Sequence, residues 1–180
     1  MSLISRLKTG LVGTLAVLLA AMPAAARSSG LDDFIRTYRC PLLEALETIR
    51  AHEMTPMDRF IILSVDQRQR YAQCLFIDGD RQIICEASSG KNGPKPHLRI
   101  STAQRSAIAA LGYEMSDDSP NFWLHRPIAD RADLWAIAGL MLETLYRGYG
   151  ARLGRGIGMN APFAPGRVLR PGDSSCMPTD

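Results

Sequence analysis

The chain has 180 residues, 46% of them hydrophobic and 22% charged, with 21 Lys and Arg against 18 Asp and Glu. That composition supports a packed core and excludes a disordered polar chain. The charges are too balanced for a domain with a concentrated basic face, so no nucleic-acid partner is expected.

Residues 1–26 read as an export signal. Arg6 and Lys8 form a positive start, and an apolar run over 11–21 follows. Met22-Pro23-Ala24-Ala25-Ala26 then supplies small residues for cleavage after Ala26. The run is too short for a spanning helix. There is no twin-arginine pair, and no cysteine directly follows the run, so the Sec route is expected without a lipid anchor. The mature protein is then periplasmic or secreted, with no stable membrane insertion. Without Arg6 and Lys8, 19 basic and 18 acidic residues remain.

Apolar spacing predicts a helix over 31–52, interrupted by Pro41 with a kink or with a second helix starting there. Residues 59–65, 70–77 and 81–88 are rich in strand formers. The last two flank Asp78-Gly79-Asp80, which predicts a hairpin within an antiparallel meander. Residues 89–98 hold two Gly and two Pro and read as a loop. Ser101-Thr102-Ala103-Gln104 reads as a capping box opening a helix that stops at Gly112. Asn121-Phe122-Trp123-Leu124-His125-Arg126 reads as a strand, with Trp123 and His125 on one face. Asp130 caps a last helix that Gly148 and Gly150 end. The expected class is α+β in the order α-β-β-β-α-β-α, an antiparallel sheet with helices on one face. Residues 27–150 form the domain. Residues 151–180, rich in Gly, Pro and Arg, are expected to be a disordered tail.

Pieces of 71–149 resemble the TY-Chap domain family, named for its likeness to type III secretion chaperones and the YbjN proteins. They are Tyr71-Ala72-Gln73, Glu86-Ala87-Ser88-Ser89, Pro96-His97-Leu98, Ala109-Ala110-Leu111-Gly112-Tyr113, Asn121-Phe122-Trp123, and Leu145 with Tyr146-Arg147. The resemblance implies an α+β fold that binds other polypeptides and implies no catalytic residue. A homodimer is compatible with it, since secretion chaperones often dimerise. The export signal and the hairpin cysteines depart from the family pattern.

Four cysteines, Cys40, Cys74, Cys85 and Cys176, follow the signal, and no C-x-x-C occurs. An even count in an oxidising compartment favours disulfides. If Gly79 and Asp80 are the central turn residues, Cys74 faces Cys85, leaving Cys40 to pair with Cys176 or stay free. The competing reading is a reduced core pair, or a thiolate of Cys85 or Cys74 activated by His97 in a small thiol enzyme. His52, His97 and His125 are scattered, so neither metal nor cofactor is expected. Gly90-Lys91-Asn92-Gly93-Pro94-Lys95 lacks phosphate-loop spacing. Ser88-Ser89 lack a nucleophile-elbow frame, and Asp117-Asp118 read as a solvated turn. Trp123 and Trp135 are candidate partner anchors, or else ordinary core aromatics. The expected function is non-enzymatic binding of a polypeptide, on the sheet face or by strand addition. A further alternative is an envelope-associated protein that binds through its basic tail.

Overall fold

The computed structural model describes residues 25–53, 55–65, 69–91, 99–116, 119–172 and 176. The expected export signal up to residue 24, His97 and most of the 89–98 loop, and Asp117-Asp118 lie outside the described residues.

Helix α1 (Ala25–Ala51) runs unbroken through Pro41. It is followed by a short 3₁₀ turn, Pro56–Asp58, and a meander of β1 (Phe60–Val65), β2 (Arg70–Ile77) and β3 (Gln82–Ala87). Then come α2 (Thr102–Ala109), β4 (Phe122–Pro127) and α3 (Arg131–Glu143), the last continuing into a π-helical turn, Thr144–Gly148. Strands β5 (Ile157–Asn160) and β6 (Arg167–Leu169) close the described chain. All pairings are antiparallel, in the order β4-β3-β2-β1-β5-β6.

Local chemistry accounts for several boundaries. Ser101 Oγ accepts from Gln104 N at 3.2 Å, and Gln104 Oε1 accepts from Ser101 N at 2.8 Å, the reciprocal box read from sequence. Asp130 Oδ1 caps α3 through Ala132 N at 2.8 Å and Asp133 N at 3.1 Å. In the β2–β3 turn Asp78, Gly79 and Asp80 all have positive φ, a region that Gly, Asn and Asp visit most readily. Arg59 secures this turn. Its Nε donates to Asp80 at 2.6 Å, and its other nitrogens donate to the carbonyls of His52 and Arg50 at the end of α1.

The alternation of the strands sends one side chain in two into the core. Ile61 and Leu63 of β1, Ala72, Cys74 and Phe76 of β2, Ile83 and Cys85 of β3, and Phe122 and Leu124 of β4 are buried. They join Phe34, Leu42, Leu46 and Ile49 of α1 and Leu134, Met141 and Leu142 of α3 in one cluster. The helices therefore cover one face of the sheet.

Two expectations need correction. Residues 151–172 are not a disordered tail, because β5 pairs with β1 and β6 with β5. Ile157, Ala161, Ala164 and Leu169 are buried there. These few apolar side chains suffice because β1 supplies a ladder and a covalent tie adds to it. Nor does a second helix start at Pro41, since α1 continues through it. Proline has no N–H for the carbonyl four residues earlier. That carbonyl, Thr37 O, instead accepts from Gly172 N at 3.1 Å. A side chain at position 172 would meet the Pro41 ring at 2.5 Å, so glycine permits the approach. The adjacent Cys40 is bonded to Cys176, 136 residues away, with Cα atoms 5.5 Å apart.

Candidate functional site

The second face of the sheet carries no helix among the described residues. Three rows of side chains cross it. One runs Asn160, Ile62, Gln73, Glu86 and Trp123 from β5 to β4. The next runs Phe60, Leu75, Ile84 and His125. The third runs Val168, Gly158, Ser64 and Tyr71 toward the other end of the strands. Phe60, Ile62, Leu75, Ile84, Tyr71 and Trp123 are half-buried, shielded by their neighbours on the same surface. Large apolar side chains on both faces of an antiparallel sheet are unusual when only one face is covered.

A polar network is set into this surface. Glu86 Oε2 accepts from Gln73 Nε2 at 2.8 Å and from Asn121 Nδ2 at 3.3 Å. Asn121 Nδ2 also donates to the Tyr71 hydroxyl at 2.9 Å. The carboxylate thus has two amide donors, which holds the side chains between Ile62 and Trp123 in place.

Toward β6 the surface dips into a groove of about 310 Å³, lined by Ile62, Ser64, Tyr71, Gly158 and Val168. The dip exists because position 158 has no side chain: a Cβ there would lie 2.7 Å from Ser64 Oγ. Arg167 stands at its rim, and Val168 is 58% exposed.

The two tryptophans fall on different layers. Trp123 lies on the uncovered face. Trp135 lies on α3 against α1, its ring under the Arg39 guanidinium at 4.1 Å and its carbonyl accepting from Arg39 Nε at 3.0 Å. Burial pulls the Arg39 pKa down, and Glu143 opposes that shift.

Cys74 and Cys85 face each other, as the two-residue turn requires, and are disulfide-bonded with Cα atoms 4.0 Å apart. Both are essentially inaccessible, at 1% and 0% exposure. A nucleophilic thiol needs a free, reachable thiolate, and this pair offers neither. Ser88 and Ser89 are buried and donate to the carbonyls of Gln69 and Pro120. The buried Tyr149 hydroxyl donates to Ser88 O at 2.8 Å. Burial raises its pKa above the ordinary tyrosine value and pushes that of Tyr113 up to about 12. Among the described residues no three His, Cys, Asp or Glu side chains gather as metal ligands.

Reasoning from sequence named Trp123 but missed Ile62, Leu75, Tyr71, Gln73, Asn121 and Gly158. The signal was present in runs such as Phe60-Ile61-Ile62-Leu63, apolar on both faces, and Leu75-Phe76-Ile77. The helices predicted around them suffice for one layer only, so the second apolar face was deducible.

A search of curated proteins and a search of solved structures each found no match. A family model described as T3SS (YopN, CesT) and YbjN peptide-binding chaperone 3 matches residues 38–153, more than half of the chain, from within α1 through the π-helical turn. The chain therefore belongs to the TY-Chap3 family of peptide-binding chaperones.

Proposed function

We propose that this is an exported, non-enzymatic protein that binds a segment of another polypeptide on the uncovered face of its sheet. The observation that carries the reading is the apolar row of Phe60, Leu75 and Ile84, beside Ile62 and Trp123, on a face without a helix among the described residues. An extended segment laid there buries its apolar side chains against these residues. The network of Gln73, Glu86 and Asn121 supplies hydrogen-bonding groups beside them. Export is supported by the apolar segment at 11–21 and by two disulfides, which persist in oxidising compartments. Among the described residues no helix is long and apolar enough to cross a membrane.

A photo-crosslinking amino acid at Ile62 or Leu75, with a control at the exposed Arg36 on α1, tests the binding reading in the native host. Polypeptide adducts from the sheet positions and none from Arg36 are expected. Equal labelling from both would refute it. N-terminal sequencing of the protein recovered outside the cytoplasm tests export, with Arg27 expected as the first residue.

The thiol-enzyme alternative gains no support from a buried, bonded cysteine pair. Residues 151–172 are built into the sheet and Cys176 is bonded to α1, so deleting 151–180 removes two strands and a disulfide rather than an independent binding tail.

A further inference from the structure

Resting on that reading, we infer that the client is recognised at the β5–β6 end of the face, as an extended acidic segment with one bulky apolar residue. The apolar residue enters the groove over Gly158, and neighbouring carboxylates meet Arg167 and Arg170. Two independent features of this end point to that occupant.

The first is shape. At about 310 Å³ the groove is at the bottom of the range for small-molecule pockets, roughly 300–1,000 Å³. That suits a side chain better than a whole ligand. Ile62, Tyr71 and Val168 give it apolar walls, and Gly158 gives it depth. Ser64 and Asn160 lie on its floor and rim, where they can bond the main chain of an extended segment.

The second is charge. Residues 151–172 contain Arg152, Arg155, Arg167 and Arg170 and no carboxylate side chain. Arg152 is committed: its guanidinium stacks on Tyr146 at 4.0 Å and donates to the Tyr146 and Ala151 carbonyls. Arg167 and Arg170 are exposed and make no hydrogen bond or ion pair among the described residues. Together they line a second cavity on the other side of β6, where Glu44 is the one carboxylate among the described residues. The only carboxylate within the three rows, Glu86, is already bonded to Gln73 and Asn121. The charge at the groove's own rim, Arg167, is therefore positive, with Arg170 beyond it across β6, and it favours a negative partner. The outer edge of β6 pairs with no strand among the described residues, so the segment's main chain has an edge to follow.

The test uses the full oxidised protein and an array of synthetic 12-residue peptides in which one Phe, Leu, Ala or Gly is set among Glu, Lys or Ser. Binding is expected to be strongest for Phe or Leu among Glu and weakest for the Lys series, and to weaken with added salt. Arg167→Glu and Arg170→Glu are each expected to cost about two- to fivefold for the acidic series, the range of an exposed charge pair. Gly158→Leu fills the groove and is expected to remove the preference for Phe over Ala. Val168→Asp, at an exposed position, tests the same wall if the Gly158 variant does not fold. Peptide binding that ignores all four substitutions but is lost in Leu75→Asp would overturn this inference and leave the binding face standing. Binding of no peptide at all would overturn both. A preference for the Lys series would overturn the charge assignment. A dimer that Arg167→Glu dissociates would show that the groove serves a second copy of the chain.

Discussion

The two faces of this sheet are built from the same strands and nearly the same residue types, yet one is sealed and the other is not. Ile61, Leu63, Phe76 and Ile83 are fully buried beneath α1 and α3. Their immediate neighbours Ile62, Leu75 and Ile84 point the opposite way and stay half-exposed. Strand alternation forces this division, because successive residues must face opposite sides. The consequence is that a change of one position in sequence moves a substitution from the stability of the fold to the availability of a surface.

The largest effect should come from the sealed face. Phe76→Ala empties a 1%-exposed site at the centre of the cluster and should cost about 3–5 kcal/mol, read by denaturant unfolding. Next is the covalent tie of the last strands. Cys176→Ser opens a bridge spanning 136 residues and should cost about 2–5 kcal/mol. Hydrogen exchange should locate the loss first in β5 and β6, which this bond helps to hold against α1 together with the hydrogen bond of Gly172 to Thr37.

Alkali should attack the sealed side more gently. Burial raises the pKa of Tyr113 to about 12, whereas an unfolded tyrosine titrates near 10. Below about pH 10 both states are protonated and stability is unaffected. Between about pH 10 and 12 the unfolded chain loses its proton while the folded one retains it, so stability falls by at most about 1.4 kcal/mol per pH unit for this group. Tyr149 shifts in the same direction and adds to the slope. Thermal unfolding of Tyr113→Phe across that window should decline less steeply than that of the parent.

The smallest effect on stability and the sharpest contrast belong to the uncovered face. Ile84→Ser should cost roughly 1 kcal/mol, since the side chain is only half-buried and serine is the poorer strand former. It should nonetheless weaken capture of polypeptide measured by crosslinking from Ile62. If Ile84→Ser unfolds the protein as Phe76→Ala does, the distinction between the faces fails.

Much of the fold was legible because its signals are short-range. Two side chains three residues apart made the capping box at Ser101 and Gln104 readable. The two-residue turn at Gly79-Asp80 carried the hairpin register and so the facing of Cys74 and Cys85. The site was less legible. Trp123 stood out by residue type, but Ile62 and Leu75 look like core residues in a linear reading. Gly158 lay in a segment whose composition suggested disorder.

Sequence by itself determined the helices, the meander, the caps and the class of the domain, because periodicity and turn chemistry act over a few residues. Tertiary structure alone decided the fate of residues 151–172 and, with it, the groove. Thr37 O is left without an intrahelical partner by Pro41, and the N–H that meets it comes from Gly172, far along the chain. The edge of β1 likewise waits for a strand that begins only at Ile157. Pro41 marks the orphaned carbonyl, but the group that meets it carries no mark in sequence, since main-chain donors and acceptors are the same at nearly every residue and only proximity in the folded chain selects among them.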